Sequence, residues 1–143
     1  MRLRLLLAFL SLMFSVLGQS GVAVFGQSGG AAVEGMLPAA LEVAVSKGDA
    51  HAMSPFIHTN VELILPEIRG VYERPHAVQI LKKFLSSNPM NDFAFTYRMP
   101  RGNGYYAIGK MFTQNGNYRM IIWLKQTQGQ LSIHQLRIED EDE

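Results

Sequence analysis

The chain has no cysteine. No disulfide can brace it, so its stability has to come from packing, which is unusual for a small exported protein. The same absence leaves no thiol for a bacterial lipoprotein anchor. There is no Asn-x-Ser/Thr acceptor either, and together these absences suit a bacterial envelope better than a eukaryotic secretory route. No apolar run reaches the ~20 residues needed to span a bilayer, so no stable membrane insertion is expected. Lys and Arg do not cluster, which argues against a nucleic-acid partner.

What the N-terminus does contain is the layout of a secretory signal. Arg2 and Arg4 precede an apolar stretch, Leu5 to Leu17, interrupted only by Ser11 and Ser15. Such a stretch has the length of a signal h-region and is too short to cross a membrane. Gly18 and Gly26 both offer a small residue at a cleavage position, so cleavage after either is open, and residues 1–26 are assigned to signal and leader. Residues 27–35 continue as a Gly-, Ser- and Ala-rich flexible leader. The protein is therefore expected to be exported, periplasmic or extracellular.

Removing Arg2 and Arg4 from the 13 basic residues leaves 11 against 12 acidic ones. Five of those acids form the terminal run Glu139 to Glu143, with residues 140–143 read as an acidic tail. Such a tail docks on a basic partner, docks on its own body, or stays solvated.

Helical periodicity begins near residue 36. Leu37, Ala40, Leu41, Ala44 and Val45 make one apolar stripe. Pro38 suits a first turn, Gly48 a left-handed stop, and Asp49 the cap of a short second helix carrying Met53. Val61, Leu63 and Leu65 then alternate as a strand ending at Pro66, and Ile68 to Tyr72 forms a second. His58 is placed in the connecting loop before the first strand. A third helix spans about Pro75 to Ser87, with Ala77, Ile80, Leu81, Phe84 and Leu85 on its apolar side and Lys82-Lys83 on a solvated face.

From Asp92 the period becomes two. Four strands, near 92–100, 105–113, 118–126 and 130–139, are separated by turns rich in Asn-Gly. Met120 to Leu124 is apolar on both faces, as in a central strand. Leu131 and Ile133 keep one parity while Leu136 and Ile138 keep the other, so a bulge near His134-Gln135 is predicted. The fold class is α+β, with residues 36–139 forming one domain in the order ααββαββββ.

That element order resembles the nuclear transport factor 2-like superfamily, in which a strongly curved antiparallel sheet wraps helices into a cone. Val45-Ser46-Lys47-Gly48-Asp49-Ala50, Asn60-Val61-Glu62-Leu63, Gly70-Val71-Tyr72, Tyr106-Ala107-Ile108-Gly109 and Leu136-Arg137-Ile138-Glu139 are similar to a secreted bacterial family, domain of unknown function 4783. The likeness covers residues 37 to 139. It departs at Glu73, where a Ser-like helix cap is usual. Its shared words are structural and carry no activity.

Enzymes of the superfamily place Asp, His or Tyr inside the cone to move protons, so the resemblance directs attention to inward acid–base pairs. The meander offers only Asp92 at its start and Glu139 at its far end. A general base would have to be His134, or His58 with Glu62. His51, His58 and His76 have unrelated spacings, so neither a metal site nor a cofactor is expected. Phe56, Tyr97, Tyr105, His134 and Arg137 are the candidate rim of an apolar pocket for a small hydrophobic ligand, with Phe93, Phe95 and Tyr97 expected on one strand face. Ile121 and Trp123 are expected to face outward and to support a homodimer. The favoured reading is a non-catalytic, exported binding or accessory domain. The alternative is a small isomerase- or dehydratase-like enzyme using His134 and a tyrosine.

Overall fold

A computed structural model describes residues 37–141. The expected signal and leader, 1–26 and 27–35, lie outside the described residues, as do tail residues 142 and 143.

Helix α1 (Ala39–Lys47) starts after Pro38 and stops at Gly48, whose φ of 64° is the left-handed turn anticipated there. Asp49 caps α2 (Ala50–Met53), its carboxylate accepting the Ala52 N–H at 2.9 Å. One turn of 3-10 helix, Ser54–Phe56, leads into β1 (Ile57–Ile64), β2 (Arg69–Glu73) and α3 (Arg74–Ser87). Strands β3 (Met90–Arg101), β4 (Gly104–Thr113), β5 (Gly116–Thr127) and β6 (Gln130–Asp140) come next as a meander. The order is the one read from the sequence, plus that single turn. Glu73 sits at the start of α3 without making a side-chain cap.

All six strands form one curved sheet in the order β2-β1-β6-β5-β4-β3. Its pairings are antiparallel except one: β1 lies parallel to β6. This junction follows from the chain's path. The β1–β2 hairpin and the meander are separate antiparallel units, and α3 carries the chain from one to the other. Where the last strand of the meander closes back on the first hairpin, the direction is parallel.

The core lies between the helices and the inner face of the sheet. Leu41, Val45, Met53, Leu81, Met111, Met120, Ile122, Leu124, Ile133, Leu136 and Ile138 are all at or below 1% exposure. At ~1.5–3 kcal/mol per large apolar side chain, this burial is what replaces disulfides. Ala40, expected on the α1 stripe, is instead exposed. No helix among the described residues is long and apolar enough to cross a membrane.

The register shifts at four places, between Ile57 and Glu62, between Met90 and Asp92, between Phe95 and Tyr97, and opposite Trp123 and Leu124, and two bulges among these set which of the candidate side chains reach which face. In β6, Gln135 pairs with Trp123 and Ile133 with Leu124, leaving His134 as the extra residue. The predicted bulge is therefore present, and it places Ile133, Leu136 and Ile138 together in the core. The second bulge has no counterpart among the sequence expectations. In β3, Phe95 pairs with Gly109 and Tyr97 with Ile108, which leaves Thr96 unpaired and flips the parity of the residues after it. Phe93 and Phe95 therefore turn inward, while Tyr97 faces out at 47% exposure. The three aromatics do not share a face.

The described part of the acidic run docks on its own body. Glu139 accepts from Arg119 and from Arg137 Nε at 2.7 Å, and Glu141 meets Lys110 at 2.7 Å. Strand β6 extends through Asp140, one residue into the segment read as tail.

Candidate functional site

The five residues proposed to rim one pocket are not brought together. Tyr105 is an inner-face residue, buried opposite Leu124. Phe56, in the 3-10 turn, packs partly buried against the core. Tyr97, His134 and Arg137 are on the outer face. There Tyr97 and Arg137 share one cross-strand row, but three strand spacings, about 14 Å, separate them. For Tyr97 the reason is the unforeseen bulge at Thr96; for Arg137 it is the predicted bulge in β6, which puts Leu136 and Ile138 in the core and Arg137 on the other face. Each shifts its strand by one residue, and a one-residue shift moves a side chain to the other face.

The outer face has an organisation of its own. The register gives one unbroken row across all six strands: Met99, Tyr106, Trp123, Gln135, Glu62 and Val71. A second row is Tyr97, Ile108, Ile121, Arg137, Ile64 and Arg69. The β3–β5 part of both rows is wholly apolar or aromatic, and the β6–β1–β2 part is largely charged or amide. Ile121 and Trp123 thus face outward as expected, alternating with the buried Met120, Ile122 and Leu124. Lys125 lies with its ammonium 4.1 Å from the Trp123 ring centroid, a cation–π contact at the row's edge.

Next to Trp123, the bulge sets His134 and Gln135 side by side. Gln135 Nε2 donates to Glu62 Oε2 at 2.6 Å. The His134 ring stacks on His58, centroids 4.0 Å apart and planes 23° from parallel. His58 is in β1, not in a loop, and the parallel pairing of Ile57 with Ile133 carries it to this place. His58 Nδ1 is within 3.0 Å of the Asn60 carbonyl, to which it donates when protonated there. His134 Nε2 is buried and has no hydrogen-bond partner among the described residues. Burial holds the His134 pKa below the ordinary imidazole value, and the nearby charges of His58 and Lys125 lower it further. His134 is therefore neutral where a free histidine would begin to protonate. Stacked rings aim their nitrogens past each other, a poor geometry for chelation, and no group of three metal-ligating side chains occurs among the described residues.

Periodicity treats His58 and His134 as separate positions and gives no sign that they meet. The only signal was the parity slip in β6, which located the bulge but not its neighbour across β1.

No curated protein matches the chain. Solved structures do. A protein of the DUF4783 family from Bacteroides ovatus ATCC 8483 is 27% identical, with a TM-score of 0.71 over 75% of this chain and 97% of that one. Two proteins from Silicibacter pomeroyi DSS-3 share the fold alone. One, conserved in bacteria and with a cystatin-like fold, is 16% identical at a TM-score of 0.56, over 73% of this chain and 74% of that one. The other, a nuclear transport factor 2-like protein of unknown function, is 10% identical at 0.51, over 69% and 85%. The family model described as "Domain of unknown function (DUF4783)" matches residues 39–139, from the first residue of α1 to the penultimate residue of β6. With its three helices and six-stranded curved sheet inside that span, the chain belongs to the DUF4783 family.

Proposed function

We propose that this protein is an exported, non-catalytic accessory module that works as a homodimer through the outer face of its sheet. The observation that carries the reading is the pair of cross-strand rows. Tyr97, Met99, Tyr106, Ile108, Ile121 and Trp123 form a contiguous apolar patch on the face opposite the helices, and no described element covers it. Contiguous apolar surface of this kind marks association. The three strands of the patch at ~4.8 Å, over about eight residues at ~3.4 Å each, span roughly 400 Å², about half of what one partner contributes to a standard interface, and the polar strands beside it supply the remainder. The charged half of the face carries Arg69, Arg137 and Glu62, so a two-fold related copy can offer opposite charges across a polar rim.

The non-catalytic part is supported by where the titratable groups lie. Large apolar side chains fill the inner face, and His134 stacks on a second histidine instead of meeting a tyrosine hydroxyl. Export is supported by Arg2, Arg4 and the apolar run to Leu17. N-terminal sequencing of the protein recovered from the envelope fraction would check it; a start at Met1 counts against it.

Light scattering of the mature protein at tens of micromolar tests the dimer. The expected mass is twice that of the chain, and Trp123→Glu is expected to halve it while leaving the circular dichroism spectrum unchanged. A monomeric parent protein at that concentration refutes the proposal.

A further inference from the structure

We infer that the groove between α3 and the β1–β2 turn binds a small amphipathic carboxylate with an aliphatic chain. The inference gives the accessory module a ligand. It rests on the non-catalytic reading and is independent of the dimer, because the groove is on the helix side of the sheet.

The groove encloses about 610 Å³, within the ~300–1,000 Å³ of small-molecule sites. Its floor and walls are apolar: Leu65 and Ile68 from the turn, Ile80 and Phe84 from α3. Phe84 is held edge-on against Tyr118, ring centroids 5.4 Å apart, so this wall is already formed. The end of the groove beyond Phe84 is closed by a completed hydrogen-bond set. Asn88 Oδ1 accepts from Tyr118 Oη at 3.2 Å and from Asn115 Nδ2 at 3.1 Å, and Asn88 Nδ2 donates to the Phe84 carbonyl at 3.0 Å.

The backbone around the groove argues for an aliphatic occupant over a peptide. One side is a helix, whose N–H and C=O groups bond internally. The other is a tight turn in which Leu65 N–H donates to the Ile68 carbonyl at 2.7 Å and Ile68 N–H donates back to Leu65 at 3.3 Å. No residue of the edge strand β2 lines the groove. A peptide brings a donor and an acceptor with every residue, and each would lose water here without a partner. A hydrocarbon chain brings none.

Charge selects the head group. Helix α3 carries Arg74, Lys82 and Lys83 and no acidic residue. Lys83 lines the groove and has no ion-pair partner among the described residues. Lys82 and Lys83 are both exposed, as expected from sequence, and of the two it is Lys83 that borders the groove. Gln79 and His76 add polar atoms along the same wall. The one opposing charge in the lining is Glu67, on the turn side. A carboxylate therefore sits toward Lys83, with its chain lying over Ile80, Phe84 and Leu65.

Decanoate is the probe. Titration followed by calorimetry should give a Kd of roughly 0.1–1 mM, the range for about twelve heavy atoms. Lys83→Glu should weaken binding at least tenfold, Ile80→Glu should abolish it, and Glu67→Gln should tighten it several-fold. Circular dichroism checks that each variant is folded, and Lys83→Glu, at an exposed position, carries the test if Ile80→Glu misfolds. Light scattering of the same samples reports the dimer separately. No binding at 5 mM decanoate, or equal binding by the parent chain and Lys83→Glu, overturns the assignment.

Discussion

Replacing Gly109 by alanine probes the packing of the inner face directly. Gly109 is a buried residue in the middle of β4, and the ring of Phe93, from β3, lies over its Cα. A Cβ built there would be 2.1 Å from Phe93 Cζ and 2.8 and 2.9 Å from the two Cε atoms. Carbon atoms in contact prefer about 3.5–4.0 Å, so the ring has to retreat by roughly 1.5 Å. Phe93 is not free to do so cheaply. It packs edge-on against Phe95 with centroids 4.9 Å apart, and Arg98 covers Phe95 at 4.6 Å while pairing with Glu42 of α1 at 3.1 Å. Overpacking of a core costs about 1–3 kcal/mol, and the disturbed aromatic pair adds about 0.5–1.5 kcal/mol. The expected loss is therefore about 1.5–4.5 kcal/mol, read as a lower urea midpoint at unchanged slope. The mechanism is tested by a double-mutant cycle. In a Phe93→Ala background the obstacle is gone, and Gly109→Ala should cost less than about 0.5 kcal/mol, since alanine also restricts the unfolded chain. A neutral Gly109→Ala, or a cost that simply adds to that of Phe93→Ala, would refute the reasoning.

Two further outcomes are expected from particular contacts. The His134 pKa is lowered in the folded state from an ordinary value near 6.5, so the unfolded chain binds more protons as pH falls below that value. This contribution to stability is present above about pH 6.5 and is lost as pH drops through the lowered folded pKa. Urea melts at pH 7.5 and 5.0 should therefore show a smaller acid loss in His134→Asn than in the parent chain, and an equal loss removes the histidine from the account. Asp49→Ala deletes the acceptor for Ala52 N–H and should cost about 1 kcal/mol in the same melts. Asp49→Asn should recover most of it.

The elements were largely legible because each is written in residues close to one another. Gly48 after a 3.6-period stripe, Asp49 before Ala50, and Asn-Gly pairs between alternating runs are local rules, and the structure follows them to within a few residues. The β6 bulge was legible for the same reason, since a parity slip between Ile133 and Leu136 has one cheap remedy. The β3 bulge was not. Phe93, Phe95 and Tyr97 alternate without a break, and nothing nearby announces that Thr96 is left unpaired.

The candidate site fared worse, for a related reason. Whether Tyr97, His134 and Arg137 face in or out depends on bulge positions, and which side chains meet depends on strand order. Chain composition and periodicity alone indicated the fold class and the reliance on an apolar core in the absence of cysteine; in β5, apolar on both faces, they fixed only that Ile121 and Trp123 lie opposite Met120, Ile122 and Leu124, and the tertiary structure decided which set is buried. Tertiary structure decided that β6 pairs parallel with β1, and with it the stack of His58 on His134. Periodicity tells a strand which way its side chains alternate; it holds no information on which strand will be its neighbour.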